Sequence, residues 1–67
     1  MQRLEAERLR LGLTKSELAR RAGLNQTTVI EATNGKRTPG AAQLLKFARG
    51  LGWPVEHAAD LLDEVRP

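Results

Sequence analysis

Residues 14 to 37, TKSELARRAGLNQTTVIEATNGKR, constrain the fold of this chain more tightly than any other stretch. Thr14 followed three positions later by Glu17 is a capping box, in which a hydroxyl and a carboxylate satisfy amides that the first helical turn leaves unpaired. A helix is therefore expected from Lys15. Its inward face is Leu18, Ala19 and Ala22, while Lys15, Arg20 and Arg21 point outward. Gly23 ends it, because glycine takes positive φ without steric cost and so permits a tight turn. Leu24 then returns to the core, and Asn25 is a good N-cap for a second helix over residues 26 to 33, with Val29 and Ala32 buried. Asn34-Gly35 stops that helix. Ala19 is small where the second helix crosses the first, and a bulky residue there would push the two apart.

Two short helices joined in this way form a helix-turn-helix over residues 14 to 34, a motif whose second helix lies in the major groove of DNA. The landmarks around it are Leu4 and Arg8, then GLTKSELARRAGL, Val29, NGKR with Pro39 after it, LLKFARGLG, and a closing short helix. With these the chain resembles the Xre/Cro family of phage-repressor-type helix-turn-helix regulators over residues 4 to 62. The resemblance implies an all-α fold, a compact five-helix domain spanning residues 1 to 67 as one unit. It also implies double-stranded DNA as partner.

Length and composition agree. A chain of 67 residues is one domain, and domains of this size bury a limited fraction of their surface, which favours an economical helical bundle. The absence of cysteine removes disulfide staples and thiolate zinc sites. No apolar run approaches the roughly 20 residues of a membrane span, and the N-terminus has alternating charge where a signal peptide has an apolar core. No membrane partner and a cytoplasmic location are expected. Residues 1 to 53 carry ten Lys/Arg against four Asp/Glu, and residues 54 to 67 carry one against four, so the overall +3 divides into +6 and −3. The basic part is the part that holds the helix-turn-helix. That coincidence says more about a polyanionic partner than the pI near 10.2 does.

The other helices frame the motif. The first is expected over residues 2 to 11, burying Leu4 and Leu11 with Arg8 on its flank, and Gly12 ends it. A fourth follows Pro39-Gly40 and buries Leu44, Leu45, Ala48 and Leu51. Gly50 to Gly52 reads as the next break. Pro54 suits the first position of a fifth helix, whose apolar side is Val55, Ala58, Leu61, Leu62 and Val65. His57, the single histidine, has Glu56 and Asp60 nearby, but one helix face cannot converge the ligands of a metal site or a catalytic pair. No Walker-type loop, nucleophile elbow or dinucleotide fingerprint is present. Neither a metal, nor a cofactor, nor an enzymatic activity is expected.

The family resemblance assigns roles to individual residues. Asn25, Gln26 and Thr27 would enter the major groove, with Ile30 and Glu31 one turn further on. A glutamine can pair bidentately with adenine N6 and N7, and Thr27 can bond a base edge or a phosphate, or touch a thymine methyl. Ile30 is either a thymine-methyl contact or a tolerated exposed side chain; Glu31 either accepts from cytosine N4 or stands away from the bases. Phosphate contacts fall to Lys15, where relatives commonly have glutamine, and to Asn34, Gly35, Lys36, Arg37 and Thr38 in the turn after the second helix. Arg20 and Arg21 read as solvated charges.

Three departures from the family pattern stand out. Relatives often carry a glutamate just before the Asn-Gly position that pairs with the helix 1 arginine, and Thr33 stands there instead, leaving Arg8 to a phosphate, to Thr33 or to a nearby acid. The apolar residue that relatives place four positions before Leu4 is missing, which shortens the start of helix 1 and predicts a less stable domain. Trp53 replaces a smaller aliphatic residue, as a larger core plug or as a dimer contact with Val55, Leu62 and Val65. The resulting expectation is a transcriptional repressor that binds a two-fold-related operator as a homodimer, since one short helix reads few base pairs. The alternative is an antitoxin or interaction module of the same fold that binds a partner protein.

Overall fold

The computed structural model describes residues 1–66. Its elements are α1 (Arg3–Arg10), α2 (Lys15–Ala22), α3 (Gln26–Thr33), α4 (Ala41–Leu51) and a closing 3₁₀ helix, η1 (Val55–Leu62). They pack within principal extents of 25 × 23 × 22 Å. The helix-turn-helix forms as its local signals dictate. Thr14 Oγ1 accepts from the Glu17 amide at 3.0 Å while Glu17 Oε1 accepts from the Thr14 amide at 2.9 Å, completing the capping box. Gly23 takes φ of +68°, and the Leu24 amide donates back to the Ala19 carbonyl at 3.0 Å, so the chain turns out of α2 with its last carbonyls satisfied. Asn25 Oδ1 then accepts from the Thr28 amide at 2.8 Å and opens α3.

α2 is the central plate of the molecule, packed on both α3 and α4. Leu18, Ala19 and Ala22 of α2, Val29 and Ala32 of α3, and Leu44, Phe47, Ala48 and Leu51 of α4 join Leu4, Leu13, Ala58 and Leu61 in one core. Two expected core positions lie elsewhere. Leu11 is exposed and Leu13 is buried in its stead, because the turn at Gly12 brings the Leu13 amide onto the Arg8 carbonyl at 3.1 Å and carries its side chain inward. Leu45 is likewise exposed, and Phe47 is fully buried; the stripe that faces α2 is Leu44, Phe47, Ala48 and Leu51, at spacings of three, one and three. α1 is one residue shorter at each end than the pattern predicts.

Gly50 is a correction of another kind. It lies inside α4, which ends at Leu51 with Gly52 in the left-handed conformation, and it is buried against α2. A Cβ on Gly50 would stand 3.0 Å from the Ala22 backbone nitrogen and 3.2 Å from the Ala22 Cα and Cβ. The two helices therefore touch backbone to backbone at this point.

The fifth helix departs most from expectation. Pro54 occupies the N-cap, not the first helical position, and His57 has non-helical φ and ψ of −113° and 20°. The Trp53 indole N–H donates to the His57 carbonyl at 2.9 Å, claiming an acceptor that a continuous helix would use itself and holding the segment in tight 3₁₀ turns. Trp53 packs partly buried against the core, with the Arg3 guanidinium 5.9 Å from its ring centroid. Val55, expected on the apolar side, is exposed, and Val65 lies beyond the helix.

Val65 belongs instead to a clip between the two ends of the chain. Its amide donates to the Met1 carbonyl at 2.8 Å, the Arg3 amide donates to the Asp63 carbonyl at 2.7 Å, and Gln2 and Glu64 form an antiparallel bridge. These bonds hold the start of α1. Arg8 turns to the nearby acid: Nε and Nη2 donate to the two Glu5 carboxylate oxygens at 2.6 and 3.0 Å, and Nη1 donates to the Leu13 carbonyl at 2.7 Å. The bond to Glu5 raises the Arg8 pKa further above an already high value, against a smaller opposing effect of burial. No described side chain has a buried polar atom without a partner.

Replacing Gly50 by alanine sets a gain in helix propensity of about 1 kcal/mol against overpacking on a rigid backbone, which costs about 1–3 kcal/mol. The expected outcome is a net loss of stability, seen as a lower urea midpoint by Trp53 fluorescence; an unchanged or raised midpoint would show that α2 and α4 can separate without cost.

Candidate nucleic-acid interface

The phase of α3 follows from its N-cap. With Asn25 capping and Val29 and Ala32 turned into the core, Gln26, Thr27 and Ile30 fall on the opposite, exposed face. Asn25 is also exposed, though its Oδ1 is engaged by the Thr28 amide, so its side-chain NH₂ is the group left outward. Thr33 is bonded within the helix, its hydroxyl donating to the Val29 carbonyl at 2.8 Å.

The end of α3 is closed by the turn that carries the expected phosphate contacts. Gly35 takes φ of +72°. Its amide donates to the Ala32 carbonyl at 3.2 Å, and the Lys36 and Arg37 amides donate to the Glu31 carbonyl at 2.9 and 3.3 Å. The Gly35 amide, expected at a phosphate, is thus engaged within the turn. What Gly35 supplies is the left-handed conformation that brings Lys36, Arg37 and Thr38 out into solvent. Pro39, buried, anchors the far end of this loop, and Gly40 opens α4 by accepting the Leu44 amide at 2.9 Å.

Two pairings link residues that sequence reasoning treated separately. Lys15 Nζ donates to Asn34 Oδ1 at 2.7 Å, tying the first turn of α2 to the last residue of the motif nineteen positions away. Glu31 Oε1 stands 3.8 Å from Arg37 Nε, so Glu31 is a partner of the loop arginine. The first is a product of tertiary geometry, and the second forms across the turn at Gly35. Lys15, Asn34, Lys36 and Arg37 thus border the exposed face of α3, with Lys15 and Asn34 in direct contact. Arg20 and Arg21 are exposed on α2.

The four residues considered as dimer contacts are placed differently from one another. Trp53 and Leu62 pack partly buried against the protomer's own core, Val65 is held in the terminal clip, and Val55 is exposed. His57 Nδ1 approaches Asp60 Oδ2 at 3.5 Å on the surface of η1. Among the described residues no group of three or more His, Cys, Asp or Glu could hold a metal ion, and no helix is long and apolar enough to cross a membrane.

A family model described as helix-turn-helix matches residues 4–56, from α1 to the start of η1. The chain belongs to the Xre/Cro-like helix-turn-helix family. It is also 38% identical over 63 residues to a protein of Methanothermobacter thermautotrophicus described as an uncharacterized HTH-type transcriptional regulator, the match covering 91% of this chain and 88% of the relative. No solved structure gave a significant match. Membership of this helix-turn-helix family of regulators points to DNA-binding regulation of transcription, not to enzymatic activity.

Electrostatics at the start of α2 make the stability of this cap depend on pH. The Thr14 amide, and then the Thr14 hydroxyl, hold the Glu17 carboxylate below the ordinary glutamate range, with Arg20 and Arg21 adding to the effect. A depressed folded pKa means stability that is present above the unfolded value, about 4.3, and lost as pH falls through the folded value. Glu17→Gln is therefore expected to lower stability at neutral pH and to lose part of the acid-side decline of the wild type, measured by urea unfolding at a series of pH values. Parallel curves for the two proteins would rule the Glu17 carboxylate out of the cap.

Proposed function

We propose that this protein is a transcriptional repressor that reads a two-fold-related operator through α3 and acts in the cytoplasm as a homodimer. The observation that carries the reading is the composition of one surface. Gln26, Thr27 and Ile30 stand exposed on α3, while Lys15, Lys36 and Arg37, bordering that face, supply the charge that phosphates require. Gln26 reads adenine through its amide, Thr27 and Ile30 contact base edges and thymine methyls, and Asn25 adds its free NH₂ group. Lys15, Asn34, Lys36, Arg37 and Thr38 hold the backbone. Gly35 shapes their turn, and Glu31, only loosely paired with Arg37 at 3.8 Å, accepts from cytosine N4. Two copies are needed because one eight-residue helix spans few base pairs, and pairing half-sites multiplies specificity.

Selection of bound sequences from a random duplex library at near-physiological salt is expected to enrich an inverted repeat. Against that sequence, Gln26→Ala should weaken binding by about 5- to 150-fold, corresponding to the roughly 1–3 kcal/mol of a bidentate base contact, with little change on random DNA. Lys36→Ala should weaken both by a similar factor and reduce the salt slope by about one. Equal losses from the two substitutions on both DNAs would remove the division into reading and positioning residues. No enrichment from a folded protein would turn the reading to a protein partner.

A further inference from the structure

We propose that the cleft between the start of α1 and the end of α3 is a further site for the DNA backbone, in which the Gln2 side-chain amide and the Asn34 NH₂ group bind one phosphodiester beyond those met by the turn. The inference deepens the DNA-binding reading above and rests on it. The cleft encloses about 370 Å³ and is lined by Met1, Gln2, Thr33, Asn34, Gly35 and Glu64. It has room for one sugar–phosphate unit with its water. Gln2 lies outside the helix-turn-helix, and no motif in the sequence points to it.

Continuity identifies the occupant. Asn34 and Gly35 belong both to the wall of the cleft and to the turn that presents Lys36 and Arg37. Along one strand of a duplex the phosphates follow one another every ~3.4 Å of helix axis, so a strand held at Lys36 and Arg37 carries further phosphates past them. The cleft continues the turn toward α1, and the polar groups it leaves unused include two donors. Asn34 Oδ1 is taken by Lys15 Nζ at 2.7 Å, which leaves Asn34 its NH₂ group. Gln2 stands at the N-cap of α1 yet makes no side-chain cap bond. Its backbone is pinned instead, the Gln2 carbonyl accepting from the Glu5 and Ala6 amides at 3.1 Å and the residue bridging to Glu64. A side-chain amide unused on a fixed backbone can serve a ligand at no cost to the fold. Thr33 spends its hydroxyl proton on the Val29 carbonyl.

One lining group opposes a phosphate. Of the lining side chains only Glu64 is negatively charged, and its carboxylate stands 3.3 Å from the Met1 ammonium. The two charges offset each other, and what remains is a site that binds by hydrogen bonds. Neutral donors of this kind fix the register of a protein on the backbone. Glu64 sets an upper limit on affinity, because it holds a negative charge beside the phosphate path.

The test is binding to a selected operator and to a random duplex, read by fluorescence anisotropy, for wild type, Gln2→Ala, Gln2→Glu and Glu64→Gln. Each protein is checked for folding by Trp53 emission and circular dichroism. The titrations are repeated on duplexes in which single phosphates are replaced in turn by neutral methylphosphonates. Gln2→Ala is expected to bind about three- to tenfold more weakly, the loss of one hydrogen bond, and to do so alike on both duplexes. Gln2→Glu should lose more, and Glu64→Gln should bind about two- to fivefold more tightly because a repulsive charge is gone. At one methylphosphonate position the wild type should weaken while Gln2→Ala weakens no further, whereas effects at the other positions add. Gln2→Ala binding like wild type, Glu64→Gln binding no more tightly, or a Gln2→Ala loss that adds to every methylphosphonate would overturn the site. Those outcomes in a wild type that binds DNA remove the cleft alone, and a folded wild type that binds neither duplex removes the DNA reading together with it.

Discussion

The backbone contact of Ala22 with Gly50 is the constraint on which the rest of the molecule depends. α2 is the one helix packed on both α3 and α4, and where it meets α4 only hydrogen stands in place of a side chain on one partner. α3 buries just Val29 and Ala32, and a helix of eight residues has little stability of its own in water. Its position is therefore inherited from α2, and α2 is set so closely against α4 that a methyl group on Gly50 would stand 3.0 Å from the Ala22 backbone nitrogen. Interiors packed this densely transmit displacement instead of absorbing it.

Much of this was legible in the sequence, and for a physical reason. The Thr14-Glu17 box, the turn at Gly23, the Asn25 cap and the stop at Asn34-Gly35 are local interactions spanning at most five residues, so each reads without knowledge of the rest. Once Asn25 fixes where α3 begins, the outward positions of Gln26, Thr27 and Ile30 follow. The apolar residues of α4 were another matter. Leu44, Leu45, Phe47, Ala48 and Leu51 satisfy more than one stripe at helical spacing, and only the position of α2 decides between Leu45 and Phe47. Gly50 looks the same in sequence whether it ends a helix or admits a neighbour. The kink of η1 at His57 coincides with a side chain, the Trp53 indole, taking the His57 backbone acceptor, which no propensity describes. The clip of Met1 and Arg3 with Val65 and Asp63 joins residues some sixty positions apart. The pair of Lys15 with Asn34, nineteen positions apart, was illegible on the same ground, whereas Arg37 and Glu31 meet across the turn after α3.

Those pairs bear on how the face would meet a polyanion. A lysine or arginine held by a neighbour has already given up part of its rotamer freedom, so less is lost when it engages a phosphate. Lys15 is held by a neutral amide oxygen, which leaves its full charge for the partner. Arg37 is held by a carboxylate, which orients the guanidinium but opposes its field. At 3.8 Å on an exposed surface that pair is weak and screened, so a phosphate competes with Glu31 on favourable terms. Lys36 has no tether in the protomer among the described residues, and the turn at Gly35 fixes its direction through the backbone alone.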